Sequence, residues 1–187
     1  DIFPKDGSQL PFYTKVNRTY QHDVFIDEPF VESSYYRSVV SMLHDCSPED
    51  IVIFHINSPG GLLSGLQSLM EAVKTTDAQT IAVLVGQCAS AASIFTMYCD
   101  SVFVTDSASL MIHNVSYATG GKNSDIIAHT QHVAKKSEKL IRDTYSGLLT
   151  PEEINEVLNG REIYFDAVEA RERFEARGKY LEAKSQA

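Results

Sequence analysis

Ser90 and His113 have the residue types and settings that nucleophilic catalysis needs. Ser90 lies in GQCASAAS (86–93), between the apolar run IAVLV (81–85) and an apolar, helix-capable stretch at 94–98. This pattern predicts a strand, a tight turn and a helix, with the serine where the turn passes into the helix. A helix N-terminus offers unpaired backbone N–H groups and the positive end of a dipole, which suit an oxyanion. The small neighbours Ala89, Ala91 and Ala92 let a substrate backbone come close to the hydroxyl. The plain alternative for a serine in this setting is a helix cap. His113 follows the apolar run LMI (110–112). Both residues fall at strand ends, where open α/β sheets place their sites. Gly61, in the turn NSPGG (57–61) after another buried run, has a backbone N–H to offer the same crevice.

Other candidates have simpler readings. Ser93 is the rival nucleophile, but one helical turn past Ser90 it is expected to pack on the sheet or bond a backbone carbonyl. His129 and His132 stand three apart on a helix face with no third ligand in view, so no metal site is expected there. His22 and His44 read as surface residues and His55 as packed or partner-facing. Asp100 and Asp106, the alternative acids for the histidine, sit in turns where aspartate commonly caps.

The elements that position these residues alternate strand and helix. DVFID (23–27) is a short strand before Pro29, and Tyr36, Val39, Val40 and Leu43 form a helical stripe over 32–45. IVIFHI (51–56) is a buried strand, followed by a helix lined by Leu62, Leu66, Leu69, Met70 and Val73. TIAVLV (80–85), SVFVT (101–105) and LMIH (110–113) are further strands. The glycine-bearing segment 116–124 reads as flexible. It leads into a long helix at 125–147 whose seam of Ile126, Val133 and Leu140 is narrow, suited to another element or subunit. Thr150-Pro151-Glu152-Glu153 opens a helix with a capping box, REIYF (161–165) is a last strand, and Asp166 with Glu169 caps a charged final helix. The alternation implies an α/β fold on a parallel sheet with right-handed crossovers. Residues 1–20, with Pro4, Gly7 and Pro11, read as an arm ahead of one domain over 21–187.

Composition sets bounds. A chain of 187 residues suffices for one domain with a real core. The net charge of −9 argues against a nucleic-acid partner and an anionic membrane surface. No apolar run approaches a membrane span, and the first ten residues hold no signal-peptide core. Cys46, Cys88 and Cys99 lack metal-ligand spacing and cannot all pair, which fits a reducing, cytoplasmic compartment.

Taken together, INSPGG (56–61), GQCASAAS (86–93) and MIH (111–113) resemble the three signature segments of the Clp protease proteolytic subunit family, in order and with near-family spacing over about residues 20–170. The resemblance implies the repeated β-β-α spiral fold of the Clp protease and crotonase superfamily, with a protruding handle helix in a region at about 116–147. It implies a serine endopeptidase in which Ser90 is the nucleophile, His113 the general base, and the N–H groups of Gly61 and Ala91 the oxyanion hole. The segment 116–124 then resembles the strand that pairs with substrate backbone. The implied assembly is two stacked seven-subunit rings enclosing a chamber that admits unfolded or short polypeptides, with no cofactor. A ring-shaped ATPase unfoldase is the implied partner.

The sequence departs from the family in several places. The family's third triad member is an aspartate in an Arg-Asp step, and here Arg161-Glu162 stands there; Glu162 is the expected acid. Arg161 keeps the family's inter-ring position, while Gly160 replaces the acidic residue before it. Ile53 and His55 replace tyrosines that contribute to the unfoldase pockets, and FEARGKYLEA (174–183) replaces the usual domain ending. Two other readings stand beside the peptidase: a catalytically silent ring subunit, and a crotonase-type acyl-CoA enzyme sharing the fold and oxyanion hole.

Overall fold

A computed structural model describes residues 18–186; most of the expected N-terminal arm, residues 1–17, lies outside them. Residues 18–20 lead into the first strand. Tyr20 donates its N–H to Asp50 at 2.7 Å and accepts from Ile51 N–H at 2.9 Å.

The chain forms β1 (Gln21–Ile26), a 3-10 turn (Ser33–Tyr36), α1 (Arg37–Asp45), β2 (Ile51–Ser58) and α2 (Leu63–Thr75). There follow β3 (Gln79–Ala89), α3 (Ala91–Thr96), β4 (Ser101–Val104) and β5 (Ser109–Ile112). The chain ends with α4 (Asn123–Tyr145), α5 (Pro151–Leu158), β6 (Ile163–Phe165) and α6 (Ala167–Ser185). The expected α/β class is what the chain adopts. The six strands form one sheet in the order β1-β2-β3-β5-β6, and β4 also pairs with β3. All pairings are parallel except the last: β6 runs antiparallel to β5, so the sheet is mixed, not wholly parallel.

β3 organises the sheet. Its first half, Ile81 to Leu84, pairs with β4, and its second half, Gln87 to Ala89, pairs with β5. The strand therefore runs on through Gly86-Gln87-Cys88 to the residue before Ser90, where the sequence suggested a turn from Gly86 onward. Asn57 makes this continuation workable. Its side-chain oxygen accepts Gln87 N–H at 3.0 Å, at the register shift between β2 and β3. A side chain at Gly86 would strike that asparagine.

Alternation along β2 buries Val52, Phe54 and Ile56 in the core with Leu66 and Leu69 of α2 and Phe95 of α3. The opposite face carries the exposed Phe25, Val85 and Phe103. Both expected capping boxes form, at Thr150 with Glu153 and at Asp166 with Glu169. The helix expected at 32–45 begins as a 3-10 turn, and the last strand shortens to three residues. In α4 only Ile141, Thr144 and Tyr145 are buried. Most of its length projects with the Ile126, Val133 and Leu140 seam half-covered, as the narrow stripe implied.

Candidate active site

Ser90 interrupts the passage from β3 to α3 as a single residue with φ 55° and ψ −121°. Among the described residues it is the one non-glycine with positive φ. Such a conformation costs about 1–3 kcal/mol and persists only where surroundings enforce it. Ser90 N–H donates to Met111 O at 3.0 Å, tying the turn to β5 two residues before His113. Ser90 O accepts from Ile94 N–H at 3.1 Å and from the Ser93 hydroxyl at 2.7 Å.

Ser90 precedes α3 as its cap residue, yet its side chain makes no capping bond. The hydroxyl lies instead 2.6 Å from His113 Nε2. With Nε2 accepting, the imidazole proton resides on Nδ1. Ser93 takes the role expected of it, bonding a backbone carbonyl. It also meets the fully buried Tyr145 hydroxyl at 2.6 Å, which joins the last turn of α4 to the residue beneath Ser90. Burial pushes the Tyr145 phenol well above its usual range, so it stays protonated and able to donate.

Gly60 and Gly61 frame the other side. A Cβ on Gly60 would fall 2.6 Å from Ser90 Cβ and 2.8 Å from Ala91 N, so this backbone rests directly against the turn. Phe30 N–H donates to Gly60 O at 2.7 Å and Leu62 N–H donates to Phe30 O at 2.8 Å, a parallel bridge centred on Gly61. In such a bridge the central residue's own N–H and C=O point away from its partner, so the Gly61 amide is turned off Phe30. Ala91 is the first helical residue, whose N–H has no partner within its helix.

The structure brings Ser90 and His113 together; it does not bond Glu162 to the imidazole. Ile112 with Ile163 is the last pair of the antiparallel β5–β6 ladder, and His113 and Glu162 are the next residues on each side, the positions that the same register would set opposite each other. Opposed residues point to one face of a sheet with Cβ atoms about 5 Å apart. Tyr164, two residues along, shares that face, and its hydroxyl donates to the Glu162 carboxylate at 2.6 Å. That bond raises the Tyr164 pKa. Arg161 is exposed and paired with Glu156 at 2.5 Å.

A groove of about 420 Å³ runs beside this site, between Gly61, Leu62 and Gln67 on one wall and Val115, His129 and Leu140 on the other. The segment 113–122 has no regular structure here, so the strand expected within 116–124 is not formed. A larger hollow of about 760 Å³, between β4 and α6, is lined by none of Ser90, His113 and Glu162. The sequence reading missed Tyr145 and Tyr164, since both act through tertiary or cross-strand contacts that leave no local pattern.

A mixed α/β fold with a serine and a histidine in hydrogen-bond contact at the ends of β3 and β5 defines a class of candidate serine hydrolases. Comparison with known proteins narrows the class: the Clp protease family model matches residues 8–173, and the chain belongs to that family. Proteolytic subunit 1 of the ATP-dependent Clp protease of Chlamydia muridarum is 26% identical over 156 residues, covering 80% of this chain and 81% of that protein. The namesake from Chlamydia trachomatis serovar D is 25% identical over 155 residues, with the same coverage. Identity at this level marks a divergent member.

Proposed function

We propose that this chain is a serine endopeptidase acting on unfolded or short polypeptides. The observation that carries the reading is the 2.6 Å contact between the Ser90 hydroxyl and His113 Nε2, made by a serine on a strained turn and free of capping duty. His113 takes the Ser90 proton as Oγ attacks the peptide carbonyl. The developing oxyanion is met by the N–H groups of Gly61 and Ala91, and His113 returns the proton to the leaving amine. Water then releases the acyl group by the same steps. Glu162 is the proposed acid for His113 Nδ1–H, a role it takes up by rotating off Tyr164 to the residue across the ladder.

The half-covered seam of α4 supports its role as a handle between subunits, and the proposed assembly is two stacked seven-subunit rings with the sites facing inward. Arg161 is the proposed inter-ring residue. The relatives are subunits of an ATP-dependent Clp protease by name, which supports a ring-shaped ATPase as partner. With Ile53 and His55 on the strand where the family carries tyrosines, that partner's docking differs from the usual.

The test is hydrolysis of a fluorogenic peptide, with fluorophosphonate labelling and particle size measured on the same preparation. Labelling and turnover that both vanish in Ser90→Ala support the peptidase. An assembled ring in which Ser90 neither labels nor turns over substrate would overturn it and leave the silent-subunit reading.

A further inference from the structure

At the opposite end of the sheet from Ser90, three residues of different chemistry converge. His22 is the second residue of β1, Cys46 follows the last residue of α1, and Asp50 immediately precedes β2. An imidazole nitrogen, the Cys46 sulfur and an Asp50 carboxylate oxygen lie within 4.8 Å of one another. The thiol and the carboxylate are buried and the histidine half-buried. From the structure we infer that His22, Cys46 and Asp50 form a binding site for a thiophilic divalent cation, with Zn²⁺ the best match.

The donor set selects the ion. Thiolate and imidazole suit Zn²⁺, whereas Mg²⁺ and Ca²⁺ require oxygen ligands. The carboxylate is already oriented, accepting Tyr20 N–H at 2.7 Å, Ser47 N–H at 2.8 Å and the Ser47 hydroxyl at 2.9 Å. A carboxylate has about four acceptor positions, so one remains for a metal, and ligating carboxylates characteristically carry such supporting bonds. Burial first, and then the negative charge of Asp50 and the neighbouring Asp45, push the Cys46 thiol above its ordinary value, so it is protonated until a cation, drawn by that same charge, displaces the proton. Tetrahedral Zn²⁺ places its ligand atoms about 3.5 Å apart, a spacing that the cluster, whose atoms lie within 4.8 Å of one another, reaches by side-chain adjustment. The Cys46 thiol gives up its proton as the sulfur–metal bond forms, and that proton leaves to solvent. The Met42 thioether, 3.6 Å from the Cys46 sulfur, or water completes the set.

Location fixes the role. β2 separates Asp50 from the turn at Gly60, and its eight residues span on the order of 25 Å, so the ion would not touch the Ser90 chemistry. It would instead clamp β1, α1 and β2 where the N-terminal segment joins the sheet.

The experiment titrates Co²⁺, then Zn²⁺, into the reduced, chelator-treated full chain. The expected result is one Co²⁺ per chain with thiolate-to-metal charge-transfer absorption and four-coordinate d–d bands, bleached by Zn²⁺. Cys46→Ser is expected to abolish the charge-transfer band, and His22→Ala, at a partly exposed strand position, to weaken binding at least tenfold. Cys88→Ser/Cys99→Ser should leave both unchanged. Absence of the band in the parent chain, or its persistence in a folded Cys46→Ser, would overturn the assignment. So would undiminished affinity in His22→Ala, which stands as the deciding variant if Cys46→Ser fails to fold.

Discussion

Ser93→Ala and Tyr145→Phe separate the two ends of the buried relay beneath Ser90. Ser93 has one hydroxyl proton, and it goes to Ser90 O at 2.7 Å. Tyr145 must therefore be the donor in its 2.6 Å contact with Ser93. Tyr145→Phe leaves Ser93 donating and removes only a bond to its lone pair, a loss of about 1 kcal/mol. Ser93→Ala strands the Tyr145 O–H as a buried donor and takes one of the two donors on Ser90 O, a loss of about 2–3 kcal/mol. The double variant strands no donor, so its loss should fall short of the sum by about 1 kcal/mol. For a chain of this length these losses correspond to Tm decreases of about 3 °C and about 8 °C for the two single variants. Calorimetry on all four proteins at one concentration measures them, and fluorophosphonate labelling reports whether Ser90 loses reactivity in the same order. A Tyr145→Phe variant at least as damaged as Ser93→Ala, or a strictly additive pair, would refute the assigned direction of the relay.

Gly60→Ala should cost about 2 kcal/mol or more and abolish Ser90 labelling, because φ at Gly60 is 99° and a Cβ there would collide with Ser90 and Ala91; normal labelling in a folded Gly60→Ala would show that this backbone does not shape the turn. Tyr164→Phe should raise peptide hydrolysis by freeing Glu162 for His113, and Tyr164→Phe/Glu162→Gln should lose that gain; a Tyr164→Phe variant with unchanged turnover argues against Glu162 as the acid. Glu153, gripped by the Arg173 guanidinium at 2.7 and 2.8 Å, is held below its ordinary pKa of 4.5 chiefly by that contact. Its contribution is therefore fully present above pH 4.5 and lost as pH falls through the lowered folded value. Glu153→Gln, which retains the capping box, should cost about 1 kcal/mol at pH 7, with the difference from the parent closing below pH 4.5 in denaturant titrations; a gap that persists in acid would assign the cost to packing.

Much of this fold was legible because its signals are local. The strands are runs of three to five apolar residues, and the two capping boxes need only four consecutive residues each. The position of Ser90 at the start of α3 is legible on the same grounds. Its positive φ was not legible, nor the continuation of β3 through Gly86. Both depend on what stands opposite: Met111 O for the Ser90 amide, and the Asn57 side chain for the Gln87 amide. Residues 22, 46 and 50 share no ligand spacing, and only the β1–β2 pairing joins the first to the last.

Glu162 shows where the boundary between legible and hidden falls. The departure from the family's aspartate is visible in the sequence, and so is the tyrosine two residues later. Their relation depends on strand register. Carried one residue past its last pair, the β5–β6 register gives Glu162 two same-face neighbours, His113 across and Tyr164 two residues along, and one carboxylate to share between them. The added methylene of glutamate lengthens the arm, so the carboxylate reaches along the strand to Tyr164 as well as across the ladder. The phenol holds it there with a 2.6 Å bond. A shorter acid at this position would sit nearer its own backbone, with less reach to either neighbour. The glutamate and the tyrosine therefore belong to one arrangement: to serve as the proposed acid for His113, Glu162 must first give up the Tyr164 bond.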